Sequence, residues 1–193
     1  MPIPLQVKKP TQALLDLAIT KMHLRESGTH QDSYIQFLIS AVTSKLDGYS
    51  GILGRCLIDQ DWSIQLDDLK SRAIKLPFPN VSAATVSFIN EDGVAIDVDP
   101  EIYQLVERHS GAQVQLKNSH NWPSEAHGSE EVSVTFTAGY GSADDVPDAI
   151  KLAALLILTN HYENRESVVL GTIAVEVPQS ADNLLAPYRL RST

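Results

Sequence analysis

This chain of 193 residues has a single cysteine, Cys56, and no apolar run longer than the seven residues from Leu152 to Leu158. One cysteine excludes an internal disulfide and a cysteine-based zinc cluster, which fits a reducing cytoplasm. In its apolar stretch Cys56 reads as packing rather than as a nucleophile. The apolar run falls far short of the roughly 20 residues a membrane helix needs, so a soluble globular protein is expected. MPIPLQVKKP carries two lysines, but no apolar stretch of signal-peptide length and no small-residue cleavage site follow, so export by that route is not expected. Positive charge is also scarce. Fifteen Lys and Arg against 24 Asp and Glu leave a formal charge of −9. That balance argues against tight binding to DNA or RNA, which needs a surplus of cations to displace phosphate counterions. The chain also lacks G-x-S-x-G, G-x-x-x-x-G-K-[ST] and G-x-G-x-x-G, which removes the common signatures for acyl transfer and for nucleotide binding.

What is present is a change of hydrophobic period along the chain. PTQALLDLAITKMHLR (10–25) predicts a helix capped by Thr11 or by Asp16, with Leu17, Lys21 and Leu24 on one face. From Asp32, the positions Ile35, Leu38, Ile39, Val42, Leu46 and Tyr49 form one helical stripe, closed by Gly51 and Gly54. The period then falls to two. Ile58, Gln60, Trp62, Ile64 and Leu66 share one face of a half-buried strand. TVSFINEDGVAIDV (85–98) predicts a β-hairpin that turns at Asn90 to Gly93, because Asp92 and Gly93 tolerate positive φ. IYQLVE (102–107) and VSVTFTA (132–138) supply two more strands.

Helical patterning returns at Pro147, expected in the first turn, with Asp144, Asp145 and Asp148 at the positive end of the helix dipole. Ile150, Ala153, Ala154, Ile157 and His161 form its stripe, and Leu152, Leu155, Leu156 and Thr159 broaden it, so cover on more than one side is expected. ADNLLAPYRL predicts a short last helix that Pro187 interrupts or ends. The layout is α+β: a small helical bundle made by residues 1–56 and 142–193, with an antiparallel β-sheet unit, 57–141, inserted between them.

The chemical candidates are few. In NHYENRESVV (160–169), His161 and Arg165 are four apart on one helix face, and Glu163 and Glu166 are three apart. Such groupings commonly serve as solvated pairs at a helix end. An H-E-x-x-H zinc site would need a second histidine that this segment lacks. A structural role at the helix end is therefore expected for His161, Glu163 and Arg165. His120 and His127 lie in KNSHNWPSEAHGSEE with six residues between them, and a metal site there would need further ligands from Glu125 or Glu130. The alternative reading is a metal-dependent or small-molecule enzyme using His120, His127 or His161. No catalytic residue, cofactor or metal is assigned from the residues.

Taken in chain order, LDLAITKMHLRE (15–26), DGYSGILGR (47–55), DQDWSIQLDDL (59–69), IKLPFPNVSAATVSFINEDG (74–93), VTFTAGYG (134–141), VPDAIKLAALLILTNHYENRE (146–166) and LLAPYRL (184–190) resemble the head-tail connector (adaptor) family of long-tailed bacteriophages and gene transfer agents. The combination of GYSGILGR, LP-x-P-x-V, VP-x-x-I and HYENRE carries the likeness. The resemblance implies a connector-type helical core with a β insertion and a structural role without catalysis. It also implies assembly as a ring of about twelve subunits beneath a portal protein, as the platform for head-closure (stopper) and tail proteins. At −9 per copy, twelve copies would total −108, a channel through which DNA passes without specific binding. A non-viral bacterial adaptor domain is the other non-enzymatic reading. For the C-terminal segment two expectations stand side by side. Leu184, Leu185, Tyr188, Arg189 and Arg191 either dock on the portal, as the resemblance favours, or belong to a short helix that closes the core of its own subunit.

Overall fold

The structure is a computed structural model describing residues 2–108, 111–127, 131–164 and 177–190. The described residues form eight strands and four α-helices. They divide into two units: Thr11–Ile58 with Gly141–Leu190, and Asp59–Tyr140 with the segment ending at Pro10.

The sheet unit contains β1 (Leu5–Lys8), β2 (Gln60–Leu66), β3 (Ala73–Lys75), β4 (Val81–Ile89), β5 (Ala95–Asp97), β6 (Tyr103–Arg108), β7 (Gly111–Leu116) and β8 (Val132–Ala138). One sheet runs β1-β2-β8-β4-β5 and the other β3-β7-β6, with every pair antiparallel. The alternation read in β2 is the one that folds: Gln60, Trp62 and Ile64 point inward while Asp61 and Ser63 lie part-exposed. Register then lines up three rows across the first sheet, Trp62–Phe136–Ala84, Ile64–Val134–Val86 and Leu66–Val132–Phe88. Phe78 lies edge-on against Trp62 with ring centres 5.0 Å apart, and 6.2 Å from Phe136. Phe78, Phe88 and Phe136 are fully buried, and each such side chain contributes about 1.5–3 kcal/mol by leaving water.

In the second sheet Ile74 opposes Val114, which opposes Leu105. Tyr103 Oη donates to the Ala84 carbonyl at 3.3 Å, and Trp122 Nε1 donates to the Ser71 carbonyl at 2.8 Å. The hairpin turns where expected. Asn90 Oδ1 accepts from the backbone of Asp92 and Val94 at 3.1 and 2.8 Å, and Gly93 takes φ +77°.

Three strands escaped the sequence reading. β1 lies between Pro4 and Pro10 and buries no side chain, so it carries no inside-outside signal, and residues 2–10 join the sheet rather than the helices. β3 has three residues, too few for a period to show. β7 places Gln113 and Gln115 between its buried residues, just ahead of the polar stretch that begins at Lys117.

The helical unit contains α1 (Leu17–Leu24), α2 (Asp32–Leu46), α3 (Asp148–Glu163) and α4 (Gln179–Leu185). Asp16, not Thr11, caps α1: its Oδ1 accepts from the amides of Ala18 and Ile19 at 2.8 and 3.1 Å. On α2 the buried residues are Ile35, Leu38, Ile39, Val42 and Leu46. Tyr49 drops out of that stripe because Asp47 leaves the helix in extended geometry, and the Tyr49 ring is 48% exposed. Pro147 precedes the first turn of α3 with ψ 133°, one position earlier than expected. Of the broad α3 stripe, Ile150, Ala153, Ala154, Leu155 and Ile157 are buried together with the unanticipated Leu158, whereas Leu152 is exposed.

Asp145, expected at the helix dipole, instead closes the preceding turn. Its carboxylate accepts from Ser142 Oγ at 2.6 Å and the Ser142 amide at 2.9 Å, bonds that hold it below the ordinary carboxylate range. Gly141 enters this turn at φ +114°, and a Cβ there would lie 2.7 Å from Asp145 Oδ2. Gly141→Ala is therefore expected to lower stability by about 1–3 kcal/mol in urea unfolding. An unchanged midpoint would contradict the strain assigned to this turn.

Candidate interaction surfaces

The C-terminal end of α3 holds the residues that first suggested chemistry. Tyr162 Oη donates to the Glu26 carboxylate, and its ring centre lies 6.0 Å from that of Tyr34 on α2. Asn164 Nδ2 donates back to the Asn160 carbonyl at 3.0 Å and to Asn160 Oδ1 at 2.8 Å. These bonds tie off the helix. His161 is part-buried and its imidazole makes no hydrogen bond with the described residues, and Glu163 is exposed. Arg165 lies outside the described residues. The anchor here is Tyr162, which sequence reasoning passed over because a tyrosine between His and Glu carries no catalytic signature. Burial, with a smaller contribution from the positive charge of Lys45, pushes His161 below its ordinary pKa of 6.5.

The other two histidines belong to the sheet unit. His120 is exposed, and its backbone carbonyl accepts from Arg72 Nη1 at 3.1 Å, while Arg72 Nη2 reaches the Lys117 carbonyl at 3.0 Å. His127 ends the short 3-10 turn Ser124–His127, and its side chain lies outside the described set. No group of three or more His, Cys, Asp or Glu side chains that could hold a metal ion occurs among the described residues.

The C-terminal segment divides. Leu185 is 0% exposed, packed within its own unit, as the reading of a short helix that closes its own core expects. Leu184 and Tyr188 are part-exposed. After α4 the chain takes one 3-10 turn, Ala186–Tyr188, and the Leu190 amide then donates to the Leu53 carbonyl at 2.9 Å. Arg189 Nη2 lies 2.5 Å from Asp182 Oδ1, so its charge is partnered within the chain. Arg191 lies outside the described residues.

Large apolar side chains left in solvent mark where association would bury most. In the helical unit these include Ile19 and Met22, one turn apart on α1, Phe37 on α2 and Leu152 on α3. In the sheet unit they are Ile3, Leu5 and Val7 along β1, and Val94 and Ile96 at β5.

The chain is similar, at 20% identity and over 99% of its length, to a chain in the neck of an empty gene transfer agent (GTA) particle computed with C6 symmetry, with a TM-score of 0.73 and 97% of that chain covered. It is similar at the same identity and coverage to chains in the virion of a native GTA particle and in the neck of a native GTA particle computed with C12 symmetry, each with a TM-score of 0.71. No protein-family model and no curated protein sequence matches the chain. At 20% identity the likeness establishes a shared fold, α+β with a helical unit and antiparallel sheets.

Two outcomes follow from the helix-end geometry. The folded chain binds a proton at His161 less readily than the unfolded chain, so between the depressed folded value and 6.5 the unfolded state carries more protons and stability rises with pH. Stability is thus expected to fall as pH drops below about 6.5, and His161→Gln to flatten that part of the thermal-melt profile. Identical profiles would contradict the burial assigned to His161. Leu185→Ala is expected to cost about 2–5 kcal/mol in urea unfolding, and a loss under about 1 kcal/mol would show that α4 is not core.

Proposed function

We propose that this protein is a head-tail connector (adaptor): a structural subunit that assembles as a ring in the neck of a phage or phage-like particle. There it sits beneath the portal and offers the platform on which head-closure and tail proteins dock. The observation that carries the proposal is the shared fold with neck chains over 99% of this chain, in assemblies computed with C6 and C12 symmetry. The sequence resemblance, which rests on motifs spread from residue 15 to residue 190, points the same way.

The physical chemistry suits the role. A ring subunit needs two different contact patches, and exposed apolar residues occur at several separate places in each unit. The −9 charge per copy gives a ring that repels DNA phosphate and lets the duplex pass without specific binding. The role requires no catalysis, and His161 and Tyr162 act as parts of a helix end. With Leu185 committed to the core, portal docking by the C-terminal segment falls to Leu184, Tyr188 and the charged end beyond Arg189.

The test uses a portal protein from the same genome. The double variant Leu184→Ala/Tyr188→Ala is expected to keep a cooperative melt but lose at least about tenfold in co-sedimentation with portal, since part-exposed apolar side chains are where a docking contact gains most. Wild-type protein that does not sediment with portal would overturn the connector reading. A folded variant that binds as well as wild type would overturn the C-terminal docking.

A further inference from the structure

Among the described residues the five-stranded sheet ends on two strands that pair on one side only, and they differ in character. There β1 pairs with β2 alone, and β5 with β4 alone. Leu5 and Val7 on β1 and Ile3 just before it are exposed, Leu5 at 71%, while at the opposite end Ala95, Ile96 and Asp97 are all exposed and Val94 stands in solvent beside them. Charge divides the same way. Residues 2–10 hold Lys8 and Lys9 and no acid, whereas residues 90–101 hold Glu91, Asp92, Asp97, Asp99 and Glu101 and no base. Among the described residues neither Lys8 nor Lys9 forms an ion pair, and neither do Glu91, Asp92 and Asp97. Each edge is apolar, and each carries unpaired charge of the sign the other lacks.

Building on the ring reading, we propose that these two edges are the two halves of the contact between neighbouring subunits. The basic β1 edge of one copy seats against the acidic β5 hairpin edge of the next. The occupant is a second copy of this chain because the complement of each edge is carried by the chain itself, at the other end of the same sheet. Strand polarity supports a head-to-tail arrangement. All four pairings are antiparallel, so the first and fifth strands run in the same direction, and β5 meets the next copy's β1 in parallel. A two-fold partner would instead set β1 against β1, lysines facing lysines, and would stop at a dimer. Lysines and flanking prolines on an edge strand commonly serve to block pairing. Here the same strand keeps Leu5 and Val7 in solvent, with Ile3 exposed just before it, and the acidic edge supplies the counter-charge. β5 has three residues, so any ladder is short and the contact is weak in isolation, gaining strength when a portal gathers many copies.

Oxidative trapping tests this, because a disulfide captures even a brief encounter. In the chain carrying both Leu5→Cys and Ile96→Cys, oxidation at millimolar protein is expected to give a ladder of dimers, trimers and larger species on non-reducing gels. Wild type, whose Cys56 is buried, is the blank. Leu5→Cys alone and Ile96→Cys alone are expected to give none, and efficient dimers from either single variant would overturn the head-to-tail arrangement. Adding Lys8→Glu and Lys9→Glu is expected to reduce the ladder about tenfold, and adding Asp97→Lys and Asp99→Lys as well to restore it. No species above dimer from the double-cysteine chain, or a ladder indifferent to both charge reversals, overturns the proposal. Multimers seen by light scattering without the 5–96 disulfide would overturn this contact while leaving the ring reading standing, and portal co-sedimentation judges that reading on its own.

Discussion

Everything in the sheet unit hangs on the unbroken seven-residue ladder between β2 and β8, from Gln60 opposite Ala138 to Leu66 opposite Val132. These are the strands by which the chain leaves the helices and comes back. Pairing them brings the ends of an insertion of some 80 residues side by side, so that α2 and α3 can pack in one unit despite their distance in sequence. The loop-closure cost of joining such remote segments grows slowly with length, and the three cross-strand rows centred on Phe136, Val134 and Val132 offset it. β8 is the middle strand of the five and is flanked on both sides by paired neighbours, which is why its inward residues are all buried.

How much of this was legible in the sequence depended on whether burial left a period behind. The α2 stripe was read almost to the residue because its five buried positions recur at helical spacing among residues that keep surface in water. β2, β8 and the hairpin after β4 were legible for the same reason at period two, helped by an Asn-to-Gly turn whose backbone needs are specific. The choice between Thr11 and Asp16 as helix cap could not be made from residue type, since both side chains can cap; it needed the amide geometry. β1 was illegible for a physical reason: both of its faces are largely exposed in the single subunit, so no alternation of apolar and polar residues was required of it.

The site residues show the same division. A cluster dense in titratable groups drew attention to His161, Glu163 and Arg165, yet the side chain that ties the helix end to its surroundings is the less conspicuous Tyr162. For the C-terminal segment, amphipathic composition could not distinguish packing inside the subunit from packing against a partner. Burial now separates Leu185, which is core, from Leu184 and Tyr188, which retain exposed surface. The edge charges went unnoticed because only the topology reveals that residues 5–8 and 95–97 are opposite ends of one sheet. In a chain of net charge −9, a basic segment at one end of the sheet and an acidic one at the other would supply the attraction that the proposed ring of like-charged copies needs.

The most direct test of the account is electron microscopy of this protein assembled on its portal. The account predicts a closed ring of about twelve copies, in which β1 of each subunit lies beside β5 of the next so that the five-stranded sheets join around the ring. Single copies bound at scattered positions, or a closed ring whose sheet edges face solvent while other surfaces make the contacts, would contradict it.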